Sequence, residues 1–501
     1  MAIYSILCLG VVVYCSSLAL YRLYFHPLSR FPGPSLAAVT LWYDVYFDIV
    51  KRGKFLAEIE RMHEKYGPIV RINPHELHIS DPEYYGEIYG SAKHVRDKYQ
   101  PWTAGGALTS VIATVGHEHH RLRRAALSPF YTKSSVRASE PIIREHVKVL
   151  TTRLQEASQT GKVIRIDAAF IALSLDVIYK YCFAEDMKLL LAEDFALEWR
   201  NALMTSAELA KVFKHLPLLK RAMPKAMLVK WLGPLLDWKS QCREFAERVI
   251  NEFESKKDGE QTEHKTIFHT ILESDLPAEE KTLDRLSDEG QILMGAAAET
   301  TGTSLTKTIF HLLRIENQAK LQRLKKELKS VMPKPESTPS CLVLEQLPYL
   351  CAVVSEGLRL QHGATTRIPR VARGEVMKYK DREIPVGTPI SSTPYIILMN
   401  PTLFPHPGAF LPERWLLENG EFDRGLEKYM VGWGKGPRQC IGMSLAYTEI
   451  FFAVAMIIRR FEMRLYETDF DDVKVVHDFF MGYPKLNSKG VRIIVTGEVN
   501  E

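Results

Sequence analysis

The sequence predicts a mainly α fold with small β-sheets (α+β), built as one large domain behind a single apolar N-terminal helix. Three observations carry this. No charged side chain occurs from Met1 to Tyr21. From residue 117 to 360, apolar side chains recur at i, i+3 and i+4 through long segments with few prolines. Residues 369–413 are instead rich in Pro, Gly and β-branched side chains, as expected of strands and turns. With 46% hydrophobic and 25% charged residues, the composition excludes a disordered tail protein, a collagen-like fibre and a multi-span transporter.

The elements follow in order. Ile3 to Leu20 is long enough to cross a bilayer as a helix, which takes roughly 20 residues. A cleaved signal peptide competes with this reading, but there is no basic n-region and the apolar run exceeds the usual ~7–15 residues. Arg22, Arg30, Lys51, Arg52 and Lys54 follow the span, so the positive-inside rule puts the rest of the chain in the cytosol. The expected organisation is an anchor over 1–21, a proline-rich hinge over 22–40 and one large domain over 41–501. In the hinge, the prolines of His26-Pro27-Leu28-Ser29-Arg30-Phe31-Pro32-Gly33-Pro34 stop the helix from continuing. Residues 67–82 alternate Ile and Val between Gly and Pro, the pattern of a small hairpin. Helices are expected over 139–158, 166–183, 236–257, 286–314, 316–332 and 441–460, with the charged interval 252–289 as a solvated loop. No internal repeat and no linker divides the domain.

Lys+Arg 65 against Asp+Glu 60 gives a net charge of +5, too small for a nucleic-acid surface. The seven cysteines are scattered and include no C-x-x-C pair, which argues against a disulfide framework and for a reducing compartment.

The chemistry concentrates in Trp433-Gly434-Lys435-Gly436-Pro437-Arg438-Gln439-Cys440-Ile441-Gly442. Gly434 and Gly436 permit a tight turn, Arg438 is a cation two residues before Cys440, and an apolar helix follows. A thiol at a helix N-terminus beside a cation is expected to have a depressed pKa and to serve as a thiolate. Taken alone, a cysteine is more often a small buried hydrophobe. Lys435 is followed by Gly436, so this is no P-loop, and Gln439 breaks a G-x-G-x-x-G fingerprint. Any electrons for redox chemistry therefore come from another polypeptide.

This segment resembles the haem-binding loop of the cytochrome P-450 monooxygenases, F-x-x-G-x-R-x-C-x-G, with Trp433 in place of the usual Phe. Three more motifs occur in the family's order. Glu356-Gly357-Leu358-Arg359 matches E-x-x-R, and Phe410-Leu411-Pro412-Glu413-Arg414-Trp415 matches the P-E-R-[FW] segment. Glu356 and Arg359 at i, i+3 share a helix face, where Arg359 and Arg414 can clamp one carboxylate. Gly295-Ala296-Ala297-Ala298-Glu299-Thr300-Thr301 resembles the oxygen-binding helix, with Ala297 where glycine is usual. The polar Glu299-Thr300-Thr301 group has a plainer alternative, side-chain bonds to the backbone that bend a helix.

In Gly116-His117-Glu118-His119-His120-Arg121-Leu122-Arg123-Arg124 a zinc H-E-x-x-H would need His at 121, where Arg stands. The segment resembles instead the C helix of fungal members, in which His120 and Arg124 reach the haem propionates. Arg370 and Arg438 align with further propionate partners.

The resemblance implies a cytochrome P-450 fold, haem b with Cys440 as axial thiolate, proton delivery by Thr300 with Glu299 as its acidic companion, and structural roles for Glu356, Arg359 and Arg414. Thiolate ligation favours O–O cleavage. It also implies electrons from NADPH through a separate cytochrome reductase, with cytochrome b5 as an optional second donor, and an endoplasmic-reticulum membrane location with a cytosolic domain. Substrate is then lined by residues near 98–113, Ala296, Thr300, Ala364 to Thr366 and 479–483, including Trp102, Phe479 and Phe480, which favours a lipophilic small molecule. The leader Tyr21-Arg22-Leu23-Tyr24-Phe25-His26-Pro27-Leu28 looks like filamentous-fungal enzymes of secondary metabolism, and most of all like oxygenases of terpenoid skeletons such as trichodiene. Two alternatives stay open: a haem-thiolate isomerase or dehydratase needing no external electrons, and a haem-binding protein without turnover.

Overall fold

The structure, a computed structural model, describes residues 1–90, 94–99, 107–255 and 265–499. Its principal helices are α1 (Ala2–Leu20), α2 (Phe55–Tyr66), α3 (His117–Leu127), α4 (Glu140–Thr160), α5 (Ile166–Phe183), α6 (Leu197–His215), α7 (Lys225–Ser255), α8 (Ile267–Leu272), α9 (Leu283–Leu313), α10 (Gln318–Val331), α11 (Pro348–Gln361) and α12 (Met443–Arg460). Charged residues 252–289 are thus not one loop: α7 reaches Ser255, α8 interrupts the interval, and α9 begins at Leu283. Thr266 caps α8 by accepting from His269 N, a local signal that the charge pattern hides. Helix α7 starts eleven residues before the expected 236 because it continues, kinked, past Pro234, with Leu232 at φ −125°.

Packing explains why the middle of the chain is helical. α5 is buried on every side except at Lys180, as its unbroken apolar composition requires. It packs more extensively against α9 than any other pair of elements does. Gly302 makes this approach possible, since a Cβ there would meet the Ile171 backbone N at 3.0 Å. α4, α5, α9, α11 and α12 share one apolar core that includes Leu150, Phe170, Leu305, Val353 and Phe452.

The strands flank this body. β1 (Ile69–Arg71) and β2 (Leu77–Ile79) form the expected hairpin, registered Ile69 to Ile79. With β3 (Asp97–Lys98), β5 (Arg370–Val371) and β8 (Pro389–Ser391) they make a five-stranded sheet in the order β1-β2-β8-β5-β3. β4 (Ile164–Arg165), β9 (Phe461–Leu465) and β12 (Arg492–Glu498) form a second sheet. β6 (Met377–Tyr379) pairs with β7 (Arg382–Ile384), and β10 (His477–Phe479) with β11 (Met481–Tyr483).

At the N-terminus, Ile3–Phe25 forms 23 residues of apolar helix, and its most apolar stretch, of mean hydropathy 2.1, has no buried residue. The proline-rich stretch that follows lies on the domain. Leu28 and Phe31 are buried, Arg22 Nη1 donates to Val39 O at 2.6 Å, and Arg71 Nη1 donates to Arg22 O at 2.7 Å.

Candidate active site

The cysteine loop is shaped by its glycines. Gly434 and Gly436 sit at φ +70° and +71°, and a Cβ on Gly436 would lie 2.0 Å from Gly90 O. Cys440 N donates to Trp433 O at 2.9 Å, which closes the loop, and Trp433 Nε1 donates to the Tyr447 hydroxyl on α12 at 3.2 Å. Cys440 is open on one side, yet the mass of protein behind it pushes the thiol above its usual value. The Gly442 N–H and Arg124 pull the other way without reversing this. The depressed thiol expected from sequence is therefore corrected: burial outweighs the helix terminus and the cation, and only a metal would fix the thiolate.

Around the loop stand four cations. Lys98, Arg124, Arg370 and Arg438 all crowd His120, which burial and these charges drive down to about 2, so the imidazole is neutral. Arg438 donates to Thr114 O and Val115 O, each at 2.7 Å, and to Gly116 O at 3.2 Å. Arg370 Nη1 donates to Ile368 O at 3.2 Å, while its Nε, like that of Arg438, is buried without a partner. Among the described residues none of the four cations is ion-paired, and Asp97 near Arg438 is bridged to Arg373 at 2.7 Å. Half-buried cations without counter-charges are costly. Two carboxylates presented together would satisfy them.

The histidine cluster separates. His117 Nδ1 accepts from Arg96 N at 3.3 Å, His119 pairs with Glu280, and His120 turns to the cations. The three histidines therefore do not converge on one point.

On α9 the helix runs unbroken through Ala297. Thr300 Oγ1 donates to Ala296 O at 2.8 Å, the side-chain-to-backbone arrangement, which leaves the oxygen lone pairs free to accept. Its neighbour Glu299 points elsewhere, since adjacent helical positions do not face each other. It lines a cavity of about 60 Å³ with Asp167, Arg200, Thr303, Thr306 and Lys307. Burial raises the Glu299 carboxyl to about 7, moderated by Arg200, whose Nε is 2.7 Å from Asp167 Oδ2.

Glu356 and Arg359 meet without any exposure to solvent, Nε to Oε2 and Nη2 to Oε1 both at 2.8 Å. Arg414 Nε adds 3.2 Å, so the clamp expected from sequence is present. Two further donors, Leu411 N and Trp415 Nε1, each at 2.9 Å, lie in the P-E-R-[FW] segment, where sequence assigned a role to Arg414 alone.

A family model described as Cytochrome P450 matches residues 34–485. The chain belongs to the cytochrome P450 family. Tryptophan 6-hydroxylase fscE of Fusarium equiseti is 40% identical over 498 residues, covering 98% of this chain and 96% of that protein. Cytochrome P450 monooxygenase sdnE of Sordaria araneosa is 41% identical (98% and 97% covered), and Cytochrome P450 monooxygenase TRI4 of Fusarium sporotrichioides 37% (95% and 92%). This P450 is thus a haem-thiolate monooxygenase of the fungal secondary-metabolism type.

The residues present fit a haem. A cysteine in the loop just before α12 faces one side, and the orphaned guanidinium atoms of Arg370 and Arg438 with neutral His120 suit two propionates. Of the positions singled out in the sequence, Cys440, Trp433, Arg438, His120, Arg124 and Arg370 come together. Glu356, Arg359 and Arg414 form a separate buried cluster, and Thr300 and Glu299 diverge. Lys98 is the member of the cation group without a sequence signal: it lies in a two-residue strand outside any motif. Of the substrate-lining segments, residues 100–106, including Trp102, lie outside the described residues. Phe479 is fully buried with Met481 and Tyr483, whereas Phe480 is 44% exposed.

Proposed function

We propose that this P450 is a membrane-anchored monooxygenase that inserts one oxygen atom from O2 into an uncharged, lipophilic small molecule of terpenoid type in fungal secondary metabolism. The observation that carries the substrate class is the chemistry of the expected walls. Val111, Ile112, Ala113, Ala296, Thr300, Ala364, Thr365, Thr366 and Phe480 carry no charge, and neither do residues 100–106. A carboxylate-bearing substrate needs a committed cation. Of the cations next to these walls, Arg367 holds Asp44 and Glu76 and Lys211 holds Asp478 and Asp48, while Lys98 and Arg370 are taken up by the haem propionates in this reading.

When bound, the haem supplies oxygen activation. Cys440 ligates it, and the Gly442 N–H and Arg124 help to hold the thiolate charge. Lys98, Arg124, His120, Arg370 and Arg438 orient the propionates. The Thr300 hydroxyl accepts and passes a proton, and Glu299, raised to about 7 by burial, can store one near neutral pH. Electrons come from NADPH through a separate reductase, with cytochrome b5 as a second donor. The apolar helix Ile3–Phe25 supports a single-pass anchor in the endoplasmic reticulum with the domain cytosolic.

A second reading is an indole amino acid. It is favoured by the relatives named Tryptophan 6-hydroxylase fscE and N-acetyltryptophan 6-hydroxylase ivoC, the latter from Emericella nidulans and 36% identical. Membranes holding this protein, a reductase and NADPH, fed with sesquiterpene hydrocarbons and separately with tryptophan and N-acetyltryptophan, decide between the two. A hydrocarbon product heavier by one oxygen supports the first reading, and an oxygenated indole alone overturns it. Product formed without NADPH would instead identify an isomerase or dehydratase, and haem binding with no product from any candidate a non-catalytic role.

A further inference from the structure

Of the three arginines that follow His120 on α3, the haem site takes only Arg124. Arg121 pairs with Glu118 at the surface. Arg123 projects to a different side of the helix from Arg124, as adjacent helical positions must, and it is buried with every guanidinium nitrogen in use. Its Nε and Nη2 donate to Glu280 Oε2 and Oε1 at 2.6 and 3.1 Å, and its Nη1 donates to Thr114 Oγ1 at 2.8 Å. Thr114 is also buried, and its carbonyl oxygen is the one that Arg438 Nη1 holds at 2.7 Å. One residue thus meets two guanidiniums, Arg123 at its hydroxyl and Arg438 at its carbonyl.

The loop around Thr114 depends on such fixtures. Residues 107–116 form no helix or strand, so hydrogen bonds to neighbouring elements set their course. Thr109 N and Oγ1 donate to Asp288 Oδ2 at 3.0 and 2.7 Å, and Val111 N donates to Glu289 Oε2 at 2.9 Å, which ties the first half to α9. The second half carries the three carbonyl groups that Arg438 grips. It is tied to β3 by Lys98 N, 3.0 Å from Val115 O, and to Glu280 by Arg123. Glu280 lies in the turn Ala278–Glu280 ahead of α9, with His119 Nε2 2.5 Å from its Oε1 and Arg285 Nε 3.6 Å from its Oε2. Arg285 in turn pairs with Glu289. Burial would raise the Glu280 carboxyl, but Arg123 and His119 outweigh it and hold the group below its ordinary value, so it stays ionised. Its charge answers that of Arg123, which would otherwise stand as a further uncompensated cation across Thr114 from Arg438.

We infer that Arg123, clamped by Glu280, is a positioning residue for the haem: it fixes Thr114 so that the carbonyl groups of 114–116 hold Arg438 in place for a propionate. The inference rests on the haem-thiolate reading and on the propionate role of Arg438. It adds what aims that cation, a buried run of alternating charges that passes from Glu289 through Arg285 and Glu280 to Arg123 and lies outside the cation group itself.

The test measures haem transfer from the loaded protein to apomyoglobin in a double-mutant cycle. Arg123→Met leaves Glu280 with His119 and Arg285, and Thr114→Val leaves Arg123 with Glu280, so the two variants share only the lost bond between Arg123 and Thr114. Each is expected to release haem about three- to tenfold faster than wild type, the scale of coupling within one hydrogen-bond network. In an Arg438→Leu background neither is expected to add more than about twofold, because the cation they aim is already gone. Thr114→Ser keeps the hydroxyl and is expected to restore wild-type release. Wild-type release in Thr114→Val overturns the inference, and so does an acceleration that multiplies undiminished in the Arg438→Leu background, the mark of general loosening. Thr114→Ser releasing as fast as Thr114→Val overturns it too. Should Arg123→Met fail to fold, the two Thr114 variants decide alone. Absence of the thiolate-type carbon-monoxide band in the unmodified protein counts against the haem-thiolate reading instead, and wild-type release in Arg438→Leu against the propionate role, which keeps the failures apart.

Discussion

Arg438 Nη1 donates to Thr114 O at 2.7 Å, joining two loops 324 residues apart in sequence. Its Nη2 reaches Val115 and Gly116, so one guanidinium fixes the turn that launches α3 and with it His120 and Arg124. Arg438→Leu is expected to release haem about ten- to a hundredfold faster, because a hydrogen bond from a charged group is worth about 1.5–3 kcal/mol. Arg438→Lys keeps the charge without the fork and should fall between. Haem transfer to apomyoglobin measures this, and wild-type retention in the leucine variant would contradict the propionate assignment.

Cys440→Ala should abolish the carbon-monoxide difference band of the reduced, thiolate-ligated protein while leaving the helical circular dichroism intact. A persisting band would mean that a different residue ligates the iron.

Removing the Glu356 carboxylate leaves Arg359, which has no exposure to solvent, without its counter-charge. Breaking one partner of a buried pair costs about 3–5 kcal/mol. Glu356→Gln should therefore lower the yield of soluble, haem-loaded protein sharply, and a melting temperature equal to wild type would show that the five-donor cluster is dispensable.

Glu449 on α12 is raised to about 8, burial being the cause and the hydrogen bond from Ser174 a partial offset. In the unfolded chain this carboxyl ionises near its ordinary 4.5, whereas in the fold it stays neutral until about 8. Between those values the folded state holds the extra proton. Stability therefore falls as pH rises, by about 1.4 kcal/mol per pH unit from this group. Glu449→Gln should flatten the decline in thermal half-inactivation between pH 5 and pH 8, roughly the interval over which the one-proton difference operates. An unchanged slope would place the decline elsewhere.

Thr300→Ala is expected to keep the carbon-monoxide band but to consume NADPH with little product, and Thr300→Ser to restore coupling. Glu299→Gln should lose the acid limb of the coupling profile near pH 7, since the group that titrates at about 7 is gone. Full coupling in Thr300→Ala would remove the hydroxyl from proton delivery.

Much of the site was legible because its members sit in short motifs whose spacing encodes local geometry. Glu356 and Arg359 share a face by helical period alone, and Gly434 and Gly436 announce the tight loop before Cys440. What escaped depends on contacts distant in sequence. Lys98 joins the cation group only when β3 docks beside β5, and Trp415 reaches Glu356 across 59 positions. The direction of the Cys440 shift runs against the sequence expectation because a helix terminus and a cation are visible in sequence, whereas the surrounding mass of protein is not. Helix boundaries moved where local chemistry overrode periodicity, as at Pro234 and the Thr266 cap.

The paired bonds from Arg22 to Val39 and from Arg71 to Arg22 have a mechanical outcome. A segment that reads as a swivel is fastened at both ends, so torque on the first helix passes straight into the sheet that carries Arg71. The two parts should tumble as one rigid rotor. A spin label at Gly10 is then expected to report the rotational correlation time of the whole body, and Arg71→Ala to set that leading rod loose.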